Sequence, residues 1–210
     1  MTTRIAVPGD APSLAELHME TLPGDVSDFT PLGRSIVRRF YANAIARGAA
    51  TVCVAEEDAV LLGFVMITPD ISQLFPRTLL AGPGDILSFV FTANPLGLAK
   101  AVIAKFSSGT ASVPSVPELV YLGVGERARG KGVGAALMDA AHAAFTAQGI
   151  PSYELNVHAD NVPAVKLYLA KGLEVSRRYE KGGHGMYNMR KQLGPPAPAV
   201  HGLMDKPGEA

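Results

Sequence analysis

The sequence predicts an α/β fold of the α+β type, in which helices pack against one central sheet in a single domain over residues 1–193. Two apolar runs, residues 50–55 and 59–68, are joined by a short acidic turn, which predicts an antiparallel hairpin. Farther along, an apolar strand passes through a glycine-rich turn into an amphipathic helix. The 210 residues are enough for one domain with a substantial core.

The N-terminal part of the chain predicts one strand and two helices before the hairpin. Residues 4–7 form a short first strand, and Asp10 is the predicted N-cap of a first helix that carries Leu14 and Leu17. Residues 34–46 have apolar side chains at three- and four-residue spacing, which predicts the second helix.

An apolar insert at about 71–117 follows the hairpin. Residues 79–91 and 96–106 predict one or two helices, and a Ser/Thr/Pro-rich linker leads into the central strand. One interpretation is an extra helical layer that covers the sheet. The other is a wall of the acceptor site or a contact to another subunit of a homodimer, because large exposed apolar patches are often interfaces.

The C-terminal part predicts four strands and two helices. The central strand begins at Glu118, a helix runs from about 132 to 149, and Asp160 or Asn161 caps a second, short helix. The remaining strands are predicted over residues 152–157, 173–179 and 185–193. Residues 194–210 are rich in Pro, Gly and Ala, a composition that predicts disorder.

Composition excludes several classes of function. The formal net charge is zero, which argues against a general nucleic-acid binder. The N-terminus lacks the apolar core of a signal peptide, and the apolar runs are shorter than the roughly 20 residues that span a bilayer. The single cysteine, Cys53, lies in an apolar strand and is expected to be a buried residue rather than a nucleophile. We therefore expect a cytoplasmic protein.

The glycine-rich turn from Gly125 to Ala135 predicts an anion site, since glycines let a phosphate approach the backbone at a helix N-terminus. Its first seven residues match a P-loop, but Gly132 stands where the Ser/Thr that holds Mg²⁺ would be. Residues 130–135 also fit a loose dinucleotide motif, although only one strand and helix pair follows. A third pattern, Arg/Gln-x-x-Gly-x-Gly/Ala, fits residues 129–134.

The third pattern is accompanied by a second motif, Asn161-x-x-Ala-x-x-x-Tyr168-x-x-x-Gly172. With these two motifs the chain resembles the GCN5-related N-acetyltransferases (GNAT), closely over residues 118–175. The resemblance implies a mixed, mostly antiparallel sheet of six to seven strands. It also implies acetyl-CoA as the co-substrate and an amine as the acceptor.

The resemblance assigns the donor-binding residues. The backbone of Leu122, Gly123 and Val124 would pair with the pantetheine arm, and Asn161 would bond the pantetheine or its neighbouring loop, cap its helix, or do both. The pyrophosphate would be held by the amides of Arg129, Gly130, Lys131, Gly132, Val133, Gly134 and Ala135.

The resemblance also implies the catalytic roles. Tyr168 would protonate the departing thiolate as general acid. Glu118, eleven positions before Arg129, is at the offset of the base glutamate in the histone-acetylating branch; Glu154, His158 or water are the rivals. A strand amide near Val124 would stabilise the oxyanion. No His/Cys/Asp cluster predicts a metal.

These observations predict an acyl-CoA-dependent N-acetyltransferase that works by direct transfer in a ternary complex, because no serine or cysteine lies in a nucleophile-base arrangement. The neutral charge and the apolar insert favour a small-molecule amine, such as an amino sugar or a hydrophobic amine. Two alternatives stay open: an enzyme for a longer acyl-CoA, and a non-catalytic CoA-binding regulatory module.

Overall fold

The computed structural model describes residues 1–24, 26–27, 29–79 and 116–194. Its sheet consists of β1 (Thr2–Ile5), β2 (Thr51–Glu57), β3 (Val60–Thr68), β4 (Glu118–Val124), β5 (Ser152–His158), β6 (Glu174–Lys181) and β7 (His184–Gln192). The seven strands follow the order β1-β2-β3-β4-β5-β7-β6. Every neighbouring pair is antiparallel except β4 and β5, which are parallel. The predicted mixed, mostly antiparallel sheet is confirmed.

Helices cover both faces of this sheet. They are α1 (Ala11–Thr21), α2 (Arg34–Ala46), α3 (Ile71–Leu79), α4 (Val133–Ala147) and α5 (Val162–Ala170). The first core cluster joins α1 and α2 to one face of β2 and β3. The second joins α4 and α5 to the opposite face, through strand residues such as Leu119, Tyr153 and Leu155. The sheet is therefore the middle layer, and its two faces present different chemistry.

Two N-terminal predictions need correction. The first strand is Thr2–Ile5 rather than residues 4–7. Asp10 does occupy the N-cap position of α1, but its side chain makes no capping hydrogen bond. Its carboxylate instead accepts from the Arg4 guanidinium at 2.7 and 2.9 Å and from the Val7 amide at 2.8 Å. A charge-assisted bidentate pair is stronger than a neutral cap, so Asp10 ties β1 to the start of α1.

The other predicted elements are found close to their expected bounds. Helix α2 matches the prediction at both ends. The hairpin of β2 and β3 turns through Asp58 and Ala59, both with positive φ, as a type I′ turn requires. Helix α3 was not predicted. The predicted helices over 79–91 and 96–106 lie, apart from Leu79, outside the described residues, as does the tail from 195 onward.

No helix in the described ranges is long and apolar enough to cross a membrane.

Candidate active site

A gap opens where the two parallel strands of the sheet separate. In the described part of the chain, β4 and β5 share the single register pair Glu118–Glu154, and the Glu154 amide donates to the Pro117 carbonyl at 3.0 Å. Beyond this pair the strands diverge, while β4 stays paired with β3 and β5 with β7. The β5-facing backbone groups at the end of β4 are therefore available to an extended ligand that carries amides.

A β-bulge in β4 turns its side chains at the gap. Tyr121 pairs with Met66 and Leu119 with Ile67, which leaves Val120 without an opposite residue. As a result Leu119 belongs to the second core cluster, whereas Tyr121 packs against the first. Bulges of this kind leave an unpaired residue and re-aim side chains next to functional sites.

The predicted pantetheine segment forms the free end of β4. Leu122 and Val124 pack against the second core cluster. Gly123 lies beneath α1, where a Cβ would collide with Thr21 and Phe64. Glycine at 123 therefore lets helix α1 approach the strand that borders the gap.

Two hydrogen bonds hold the start of the glycine-rich turn in place. The Gly125 amide donates to the Leu62 carbonyl at 2.9 Å, and the Glu126 amide donates to the Glu20 carboxylate at 2.8 Å. Glu20 was not singled out from the sequence, because no local signal connects a residue of α1 to this turn. These two bonds hold the turn against α1 and β3.

Helix α4 starts from this turn with its first amides exposed to an anion. Gly132 is its N-cap with a φ of 79° and no capping side chain, and a Cβ added there would meet no atom within 4 Å. The first-turn amides of a helix have no partner within the helix. They form the positive end of its dipole, which is a ready site for a phosphate.

Three basic residues lie in the turn that precedes this helix. Arg127, Arg129 and Lys131 are exposed. The Arg129 Nε donates to the Val124 carbonyl at 3.3 Å, so this guanidinium folds back over the end of β4. The turn that leads into α4 therefore carries three exposed cations, with the carboxylates of Glu20 and Glu126 at its start.

Helix α5 brings Tyr168 to the same region. Asn161 caps it as predicted, with its Oδ1 accepting from the Ala164 amide at 3.3 Å. A Cβ at Gly134 would lie 3.1 Å from Leu167 Cδ2, so α5 packs directly against the first turn of α4. Tyr168 is 6% exposed, and among the described residues its hydroxyl has no hydrogen-bond partner.

Burial raises the pKa of Tyr168 to about 12, since a phenolate would lose its hydration. The hydroxyl therefore keeps its proton throughout the physiological range. It is a proton donor without a competing acceptor.

The candidate bases lie on the opposite face of the sheet. Along β5, Tyr153 and Leu155 face the α4 and α5 layer, so Glu154, Asn156 and His158 face the other way. Glu118 accepts from Asn156 Nδ2 at 3.2 Å. Its pKa is raised by burial and by Glu154, against the lowering effects of the Asn156 hydrogen bond and Lys181.

His158, a rival for the role of base, lies farther along the same strand face, with its ring centroid 4.9 Å from that of His184. The strand register thus places Glu118 opposite Glu154. His158 lies four residues beyond Glu154 along β5, and so farther from Glu118.

A buried hydrogen-bond network centred on His18 of α1 reaches Tyr121 of β4. His18 is 0% exposed; its Nδ1 lies 2.8 Å from the Tyr41 hydroxyl and its Nε2 lies 2.8 Å from Ser27 Oγ. Ser27 Oγ in turn donates to the Tyr121 hydroxyl at 3.4 Å. His18 carries no motif that marks it in the sequence, although its spacing with Leu14 and Leu17 places it on the apolar face of α1.

Burial lowers the pKa of His18 to about 4, from an ordinary value of 6.5. In the unfolded chain the imidazole takes a proton as pH falls through 6.5, whereas the folded protein resists protonation until about pH 4. Between these two pH values the unfolded state therefore binds more protons than the folded state. The free energy of unfolding decreases as the pH is lowered from 6.5 to about 4. We expect a loss of about 3 kcal/mol in the free energy of unfolding.

Denaturant unfolding at a series of pH values, together with NMR titration of the histidine rings, measures this effect. A His18 ring that titrates near its ordinary value in the folded protein would contradict it.

No cluster of three or more His, Cys, Asp or Glu side chains in the described ranges is placed to hold a metal ion.

Solved structures support the architecture. The chain has a TM-score of 0.61 and 21% identity to a GNAT-family acetyltransferase from Streptococcus pneumoniae, with 92% of this chain and 99% of that one covered. The ribosomal-protein-alanine N-acetyltransferase from Brucella melitensis gives 0.61 and 16%, covering 91% and 99%. The protein yncA from Salmonella typhimurium, solved with its cofactor acetyl-CoA, gives 0.63 and 17%, covering 94% and 96%. At these identities the likeness shows the fold.

The family follows from a separate comparison. No curated protein matches the chain in sequence. The model of the Acetyltransferase (GNAT) family matches residues 12–173, a range that contains the bulged strand, the glycine-rich turn and the capped α5 helix described above. The chain therefore belongs to the GNAT acetyltransferase family.

Proposed function

We propose that this protein is an N-acetyltransferase that moves the acetyl group of acetyl-CoA to a primary amine of a small molecule, by direct transfer in a ternary complex. The observation that carries the proposal is the gap between β4 and β5, which ends at the uncapped N-terminus of α4. It combines an unpaired strand edge with an anion site. These are the two features that an amide-containing arm and a pyrophosphate need.

The residues at the gap fit the two halves of the donor. The segment Leu122 to Val124 borders the gap, where no residue of β5 pairs with it. Its Val124 carbonyl accepts from Arg129 Nε at 3.3 Å, and its other gap-facing groups are left for the amides of the donor. The turn from Arg129 to Ala135 offers the amides of the α4 N-terminus with exposed cations beside them. The side of Gly132 is open, so a phosphate can reach the main chain. Asn161 shapes the start of α5 beside the same turn.

The acid and the base approach the gap from opposite faces of the sheet. Glu118 takes a proton from the acceptor ammonium, directly or through one water, and the amine nitrogen then attacks the thioester carbonyl. An amide of β4 stabilises the oxyanion. When the carbon–sulfur bond breaks, Tyr168 gives its proton to the leaving thiolate. The nitrogen loses a second proton as the amide forms, and this proton restores the Tyr168 hydroxyl through solvent. The proton held by Glu118 then passes to water, so an acceptor that enters as an ammonium releases one proton overall.

Direct transfer is supported by the state of the only cysteine. Cys53 is buried in β2, and burial raises the pKa of its thiol, which disfavours the thiolate that an acyl-enzyme would need. The same free, buried cysteine is consistent with a reducing, cytoplasmic location.

The experiment is release of free thiol from acetyl-CoA against a panel of amines, including amino sugars, hydrophobic amines and a peptide with an N-terminal alanine. We expect acceptor-dependent release with at least one small amine. Tight acetyl-CoA binding without release on any acceptor would indicate a non-catalytic module. Faster turnover with octanoyl-CoA than with acetyl-CoA would indicate the longer-acyl alternative.

A further inference from the structure

A network of hydrogen bonds between side-chain amides and hydroxyls leads to the Glu118 carboxylate. It connects β5, β6 and β7 on the sheet face that carries the candidate bases, and it ends at two carboxylates, Glu118 and Glu154. Asn156, Ser176, Tyr179 and Asn188, which connect the two carboxylates, belong to neither of the two sequence motifs.

Asn188 is the fixed centre of this network. It is buried, and its Nδ2 donates to Glu154 Oε2 at 3.1 Å and to Asn156 Oδ1 at 3.2 Å. Its own Oδ1 accepts from the Ser176 hydroxyl. Because buried amide groups need partners, flipping this amide would place its oxygen against the Glu154 carboxylate oxygen, which is also an acceptor. Asn188 therefore has one orientation.

That orientation determines the orientation of Asn156. The Asn156 Oδ1 accepts from Asn188 Nδ2 and also from the Tyr179 hydroxyl, at 2.9 Å. With two donors on its oxygen, Asn156 must present its Nδ2 to the other side, where Glu118 Oε1 lies at 3.2 Å. Within the described part of the chain, the second oxygen of Glu118 has no hydrogen-bond partner.

We propose that Asn156 is a positioning residue for Glu118: it holds one carboxylate oxygen so that the other faces the acceptor amine, and Asn188 and Tyr179 hold Asn156 in the only orientation that can do so. The inference rests on the proposed function, in which Glu118 takes the amine proton.

Several neighbouring groups affect the pKa of Glu118 besides the amide of Asn156. Glu154 from β5 disfavours the ionised carboxylate, Lys181 from β6 favours it, and Tyr179 is the other titratable neighbour. The Asn156 hydrogen bond favours the ionised form against burial. Since only the carboxylate can accept a proton, Asn156 keeps the base in its working state.

The test follows the Glu118 carboxyl by carbon-13 NMR titration, with Glu118→Gln to identify its signal, and then the acid limb of kcat/KM. We expect Asn156→Ala to raise the Glu118 pKa by about one unit and to move the acid limb to higher pH by the same amount. Asn156→Asp should raise it further, because a second carboxylate replaces a donor. Tyr179→Phe should give a smaller shift in the same direction.

Tyr187→Phe is the matched control, because Tyr187 lies on neighbouring β7 but packs toward the second core cluster on the opposite face. It should leave both readouts unchanged. An unchanged Glu118 pKa in Asn156→Ala overturns the inference and leaves acetyl transfer standing. A wild-type protein without acceptor-dependent thiol release overturns both.

Discussion

Replacing Tyr168 with phenylalanine is expected to lower kcat by about a hundredfold to ten-thousandfold, the range that a positioned general acid contributes. The ring stays, so the packing of α5 in the second core cluster is kept. Only the proton donor is lost. The thiolate must then leave unprotonated or take its proton from water, and acetyl-CoA affinity should change less than about twofold.

Stability separates this effect from damage to the fold. Among the described residues the Tyr168 hydroxyl has no hydrogen-bond partner, so its removal should change the free energy of unfolding by less than about 0.5 kcal/mol. Since the pKa of Tyr168 is about 12, its ionisation should not limit turnover at any pH below about 10. Turnover of Tyr168→Phe equal to that of the wild type would remove Tyr168 from the mechanism.

The second large effect concerns the anion site. Gly132→Ala is expected to weaken acetyl-CoA binding by at least about tenfold, because a Cβ at this open position stands where the pyrophosphate approaches, and because a φ of 79° is costly for alanine. The backbone amides at the start of α4 would then shift from their present directions. Isothermal titration calorimetry with acetyl-CoA measures the change.

Gly149→Ala is the matched control for this variant. Gly149 also has a positive φ, 69°, and also has no atom within 4 Å of an added Cβ, but it follows the C-terminal end of the same helix. Both variants should lose about 1 kcal/mol of stability, and only Gly132→Ala should lose affinity. Equal affinity losses in the two variants would mean that the start of α4 does not bind the donor.

Elements that depend only on residues close together in the sequence could be predicted from it. The second helix was predicted at both ends because its apolar spacing is complete and Gly48 follows it. The Asn161 cap was predicted because a cap depends on residues within one turn. Asp10 was predicted correctly as the N-cap residue of α1, but its carboxylate makes no capping bond, because Arg4, on a different element, offers it a stronger partner.

Features that depend on strand pairing could not be predicted in this way. The register that leaves Val120 unpaired, the separation of β4 and β5, and the meeting of Asn156 with Asn188 all join residues distant in sequence. A shift of one residue would send each side chain to the other face. The strand that borders the gap could be predicted from the resemblance to the family. The polar network that orients Glu118 could be recognised only in the structure.

The most direct measurement is a single-turnover reaction with protein in excess over labelled acetyl-CoA, quenched at intervals and analysed for free thiol, acetylated amine and acetylated protein. The acceptor is the amine with the highest rate in the thiol-release panel. We predict that thiol and acetylated amine appear together in equal amounts, with no acetyl group on the protein at any time, and that Tyr168→Phe slows both together. An acetylated protein that forms and decays at the rate of turnover would contradict direct transfer across the gap between β4 and β5.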